Sequence, residues 1–232
     1  MGANLGQQSI VRDGLVLYLD AGNPASYIGS GTVWNDVVDK KKGQLYGPIY
    51  NSDDGGSLVF DGTDDYAVIR PESETLFGTG AFAVELWARF SGAGSWYFLD
   101  TRLVDIDLTT WALYMQTNER IWWYTGAGNL FDDAAMPTWS TGDNGWNHIV
   151  FSREGTGSNE FKAYVNGEFK MAVTDTTDYN GMPFFTLLNI GRRYNNIEFM
   201  NGRISILRIY KGKALSAAEV LQNYNATKER YK

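Results

Sequence analysis

The chain has 232 residues, 44% hydrophobic and 15% aromatic, which is enough apolar mass for one large core. Its formal net charge of -7, from 20 basic and 27 acidic side chains, gives an acidic surface that repels nucleic acid and excludes it as a partner. With no cysteine, the sequence excludes disulfides, thiol nucleophiles and Cys-ligated metal centres.

Residues 1–12 are polar, contain glycine and lack periodicity, and they read as an arm ahead of one domain at 13–232. The arm residues expected to touch a neighbouring subunit are Asn4, Leu5, Gln7, Gln8 and Ile10. "MGANLGQQSIVRDG" has no apolar h-region, and no run approaches the roughly 18 apolar residues that span a bilayer, so neither export by a leader nor a membrane is expected.

"GLVLYLDAGN" predicts a strand over Leu15–Leu19, ended by Asp20, Gly22, Asn23 and Pro24. Residues 25–47 read as one long loop pinned by Tyr27 and Trp34, with Lys40–Lys42 as a solvated turn. "SLVFDGTDDYAVIR" predicts strands at 57–61 and 65–70, broken at Gly62. In "AFAVELWARF", Phe82, Val84, Leu86 and Ala88 alternate toward the core while Ala83, Glu85, Trp87 and Arg89 point away. "WYFLD", "LVDIDL" and "WALYMQ" continue the pattern, and "TNER" turns into "IWWYT" as a hairpin.

"NHIVFSR", "NEFKAYVNG", "EFKMAVT", "FTLLNIG" and "GRISILRIY" are further strands. In the last, Ile204, Ile206 and Ile209 slip phase near Leu207, which a β-bulge or burial of both faces explains. Only the C-terminus reads as helix. Ser216 and Glu219 make a capping box, Leu215 and Val220 a hydrophobic staple, and Val220, Leu221 and Tyr224 are spaced to face inward. The whole predicts an all-β fold: two antiparallel sheets in a jelly-roll sandwich, closed by a short helix.

"GLVLYLDAGNPASYIGSGTVWNDV", "GGSLVFDGTDDYAVI", "WNHIVFSREG", "FKAYVNGE" and the closing "GRISILRIYKGKALSAAEV" resemble the laminin-G-like group of concanavalin-A-like jelly rolls, over residues 13–227. The opening segments are also similar to variants found in tailed-phage fibres and virion surface proteins. The resemblance implies a concave and a convex sheet, with glycan or protein contacts through rim loops; some members bind calcium and some are hydrolases.

The only histidine, His148, shares a strand face with Trp146 and has no G-x-S-x-G nucleophile to serve, so it reads as a hydrogen-bonded strand residue. The Glu-x-Asp-x-x-Glu signature of jelly-roll glycosidases is missing. Glu85 stands alone, and Asp105 and Asp107 share a strand face as the best enzymatic suspects. No cofactor is expected, with calcium the one possibility, through Asp61, Asp64 and Asp65; those carboxylates also suit a turn that bonds backbone amides. "RRYNNIEF" adds Asn195 and Asn196 as neutral oxygen donors.

A sugar stacks its C–H face on aromatic rings while its hydroxyls seek amides and charges. The candidates for that role are Trp96, Tyr97, Trp123, Trp139, Tyr194 and Asn195; Trp122 and Trp123 must point to opposite faces. The leading expectation is a non-catalytic virion surface protein of a tailed phage, a capsid decoration, fibre or tail component. It would be made in the host cytoplasm and would contact other virion proteins, its own copies or host surface polysaccharide. The phage-like opening, a chain running from Met1 to a capped final helix and the missing leader support it. A stand-alone carbohydrate-binding module is the alternative, and a glycoside hydrolase comes third.

Overall fold

The computed structural model describes residues 9–70, 73–91, 94–103, 109–118, 120–131, 136, 145–180 and 187–232. Among them, two eight-stranded antiparallel sheets pack face to face. In spatial order the first sheet runs β14 (Glu168–Val173), β13 (Phe161–Val165), β12 (Asn147–Arg153), β7 (Phe82–Phe90), β16 (Asn201–Lys211), β5 (Ser57–Asp61) and β4 (Ile49–Asn51). β1 (Leu15–Asp20) also pairs with β16. The second sheet runs β11 (Gly128–Leu130), β10 (Ile121–Thr125), β9 (Trp111–Met115), β8 (Trp96–Asp100), β15 (Leu188–Ile190), β6 (Tyr66–Ile69), β3 (Lys42–Tyr46) and β2 (Val33–Asn35). The helix α1 (Ala217–Thr227) closes the chain. This is the two-sheet jelly-roll sandwich that alternation and turn spacing imply.

Period-2 alternation sorts β7 as expected: Phe82, Val84, Leu86 and Ala88 enter the core between the sheets. β16 resolves its phase slip in both anticipated ways. Its pairing with β7 shifts register between Ile204 and Ile206, and its two faces are both buried. The bulge falls where the neighbour along one edge of β16 changes, from β5 opposite Asn201–Ile204 to β1 opposite Ile206–Tyr210. Ser205, the bulged residue, donates its hydroxyl to the Gly56 carbonyl at 2.6 Å.

Three expectations are corrected. Residues 25–47 are not one loop, because Val33–Asn35 and Lys42–Tyr46 pair as β2 and β3. Both strands are too short for alternation to stand out. Tyr27 and Trp34 are buried as anchors, but Lys42 belongs to a strand and Lys41 pairs with Glu74 at 2.6 Å, so only Lys40 fits a solvated turn. On α1 the capping box and the Leu215–Val220 contact are present, yet Leu221 is exposed. Asn223 takes the buried position instead, because a polar group waits beneath it.

Candidate functional site

The two outer faces of the sandwich differ. On the first sheet, the outward residues of β7, β12 and β16 meet α1. Glu85 is completely buried there, 2.9 Å from Nε2 of His148, and it accepts from Arg208 and, at 2.7 Å, from the Asn223 amide. Burial alone would raise the Glu85 pKa; Arg208, His148 and Asn223 outweigh it and bring it down to about 2. Trp87 donates its indole N–H to Thr227 Oγ1 at 2.8 Å and stacks on Tyr231, 4.1 Å between centroids. His148 is thus a strand residue inside a latch for the helix, and a fully buried imidazole reaches no substrate.

The start of the described chain joins the same face. The Val11 amide donates to Asn223 Oδ1 at 2.8 Å, and Gln222 donates to the Ser9 carbonyl at 2.6 Å. Ile10 packs against the Trp87–Trp146 cluster of its own chain. Asn4, Leu5, Gln7 and Gln8 lie outside the described residues.

Among the described residues, no helix lies over the outer face of the second sheet. Register aligns Gln44, Val68, Asn189, Asp100, Ala112 and Tyr124 across six strands, with Tyr46 opposite Tyr66 and Tyr97 opposite Tyr114 and Trp122 in the adjoining row. At the β8–β10 end this face is closed. Tyr97 and Tyr114 stack at 4.9 Å, and Arg102 lies over the Tyr97 and Tyr124 rings while pairing with Asp100 at 2.7 Å. At the β3–β6 end it is open. Tyr46 is 46% exposed and stacks on Tyr66 at 4.5 Å, Phe199 lies 6.4 Å from Tyr66, and the Arg192 guanidinium lies 3.5 Å from the Tyr66 centroid.

Arg192 comes from the loop after β15. Gly191, at φ +85°, carries the chain over Phe60, whose ring would lie 2.6 Å from any added Cβ. Asn189 then accepts from Arg192 Nε at 3.1 Å, and Asn196, at the loop tip, accepts from Nη1. One amide oxygen from β15 and one from the loop therefore fix a guanidinium in place.

The residues singled out as glycan contacts divide. Trp123 is excluded: it is wholly buried between the sheets, stacked on Trp111 at 4.8 Å, with its N–H bonded to Tyr179 at 2.9 Å. Trp96 is excluded likewise, buried on the core side against Phe90 and Phe98. Trp122 takes the opposite face from Trp123, as alternation requires. Tyr97 is on the outer face but at its closed end. Tyr194 is half-buried beside it, its amide bonded to Asp100 at 3.1 Å, and Asn195 is exposed. Trp139, Asp105 and Asp107 lie outside the described residues.

Sequence reasoning missed Tyr46, Tyr66, Phe199 and Arg192. Alternation in "DDYAVIR" puts Tyr66 and Val68 together, away from Ala67 and Ile69, which is a usable signal. Nothing local pairs Tyr46 with Tyr66.

Asp61, Asp64 and Asp65 bring one carboxylate oxygen each within 4.8 Å of one another. Asp61 accepts from the Thr63 amide at 2.8 Å, which lowers its pKa, and Asp65 accepts from the Asp61 amide at 3.0 Å. The Asp61 and Asp65 carboxylates fasten the turn from β5 to β6, the role a Gly-containing acidic turn suits.

A two-sheet sandwich sealed on one face and offering an aromatic, amide-bordered patch on the other defines the class: a concanavalin-A-like domain. Residues 61–221 match the Laminin_G_3 family, described as the Concanavalin A-like lectin/glucanases superfamily, and the chain belongs to it. No curated protein matches the sequence. Among solved structures, the chain is similar to that of botulinum neurotoxin type C, a toxin whose cell entry is described as dependent on interaction with two ganglioside molecules. The TM-score is 0.67 at 12% identity, over 92% of this chain and 51% of that one.

The binding domain of botulinum neurotoxin DC in complex with SialylT gives 0.66 at 13% identity, over 93% and 52%. Trypanosoma rangeli sialidase gives 0.64 at 14%, over 96% and 34%. These likenesses establish the fold alone. The chain spans about half the length of the toxin chains and a third of the sialidase.

Proposed function

We propose that the chain is a non-catalytic recognition domain that binds carbohydrate at the open end of its second sheet. One observation carries this: Tyr46 and Tyr66 form a stacked, solvent-accessible pair bordered by Gln44, Arg192 and Asn196. A pyranose needs a flat apolar face beside fixed donors and acceptors, and this patch supplies both. The superfamily supports the reading, as do the similar toxin structures described with gangliosides and with SialylT. The absence of catalysis is part of the proposal: His148 and Glu85 are sealed, and the carboxylates of Asp61 and Asp65 are bonded to backbone amides.

A glycan array tests it with the wild-type chain, Tyr46→Ala, and Phe169→Ala as a control on the first sheet, where Phe169 is also exposed. Tyr46→Ala weakens the strongest hits about tenfold, roughly 1.4 kcal/mol, and Phe169→Ala leaves them unchanged. Equal losses in the two variants would sink the assignment.

The setting we propose is the surface of a tailed-phage virion, as a capsid decoration, fibre or tail component made in the host cytoplasm. Besides the phage-like opening segments, one placement favours it. Ser9, where residues 1–8 join, is bonded to α1 on the sealed face, away from the Tyr46 patch. Assembly contacts and glycan contacts would then use opposite sides. Mass spectrometry of purified virions that finds no peptide of this chain would refute the setting and leave carbohydrate binding standing.

A further inference from the structure

Two arginines that border the outer face of the second sheet have carboxylate partners among the described residues. Arg102 pairs with Asp100 at 2.7 Å and Arg193 with Glu198 at 3.0 Å. Arg192 has none among the described residues: its acceptors are the neutral oxygens of Asn189 and Asn196. It is also half-buried, over the ring of Tyr66. Burial lowers its pKa, and the groups that push back are the Tyr66 and Tyr46 phenols rather than any acid. In a chain with seven more acidic than basic side chains, this guanidinium is held over an aromatic patch by neutral groups.

We infer that the patch selects an acidic glycan, seating a neutral ring face on Tyr46 while Arg192 receives the carboxylate of a uronic or sialic acid residue. This inference rests on the carbohydrate reading above and names the ligand class of the same site. The physical argument is preorganisation. Arg192 is already partly desolvated and held by Asn189, Asn196 and the Tyr66 ring, so an incoming carboxylate meets a positioned guanidinium fork and gains a charge-assisted contact without ordering a free side chain. A neutral sugar would leave that guanidinium as uncompensated as it is in the free protein.

The experiment is a glycan array containing acidic and neutral glycans. Titration of the strongest acidic hit and of its carboxyl-reduced derivative follows, against wild type, Arg192→Gln and Tyr46→Ala. The expected result is acidic hits that lose at least about tenfold on carboxyl reduction. Arg192→Gln loses a similar factor on the acidic form and nothing further on the reduced form, and Tyr46→Ala weakens both forms. Should Arg192→Gln unfold the loop, the reduction arm on wild type still decides.

Neutral strongest hits, or acidic binding untouched by Arg192→Gln, overturn the acidic preference. If those hits still fall with Tyr46→Ala, the carbohydrate site survives without it. An array with no hit at all overturns both.

Discussion

On the outer face of the first sheet, Trp87, His148, Glu85 and Arg208 lie sealed under α1; on that of the second, Tyr46, Tyr66 and Arg192 meet solvent. The residue types are much the same, so composition does not separate a structural face from a recognising one. Pairing does. Glu85 draws together His148, Arg208 and Asn223, and this bonded network lets charge stay buried. Arg192 is held by neutral amides and has no carboxylate partner among the described residues. A face that has satisfied its charges internally holds the fold together, and a face that leaves one open is equipped to meet a partner.

The comparison breaks first at Glu85. Glu85→Ala strands Arg208 and His148 without their carboxylate, and such a loss costs about 3–5 kcal/mol. Denaturant unfolding should show a drop of that size. A loss under about 1 kcal/mol would mean the network is ornamental to stability.

Acid sharpens the same point. The folded pKa of Glu85 near 2 lies below its ordinary 4.5, so its ionised form stabilises the fold in full above pH 4.5, and that stabilisation is lost as pH falls toward 2. The shift corresponds to about 3 kcal/mol. The melting temperature should fall across that window, and Glu85→Gln should flatten the fall.

Tyr46→Ala tests the other face. Its effect belongs in binding, about 1.4 kcal/mol for a tenfold loss, with stability changed by under about 0.5 kcal/mol. If it destabilised the chain as Glu85→Ala does, the two faces would not differ in kind.

The smallest effect is Ser216→Ala, which removes the α1 capping box at about 1 kcal/mol. Thermal unfolding reads that cost, and glycan binding should be untouched, because α1 covers only the sealed face.

Much of the architecture was readable residue by residue. The Phe82–Ala88 set, the slip in β16, the capping box and the staple all depend on neighbours within a few positions, and local sterics decide such features. The misreadings share a cause. Trp123 was a surface candidate because alternation separates it from Trp122 without saying which of the two points inward. Leu221 is apolar at a plausible helical spacing, but Asn223 claims the buried position because Glu85, 138 residues away, lies beneath it.

The sequence by itself determined two apolar-faced antiparallel sheets and a capped helix, since strand period, turn chemistry and cap residues act over short stretches of chain. Only the tertiary structure decided which outer face the helix would seal, that Tyr46 would stack on Tyr66, and that Arg192 would come to rest over Tyr66 between two amides. Those outcomes depend on strand register and on contacts between distant segments, and period-2 alternation is blind to both.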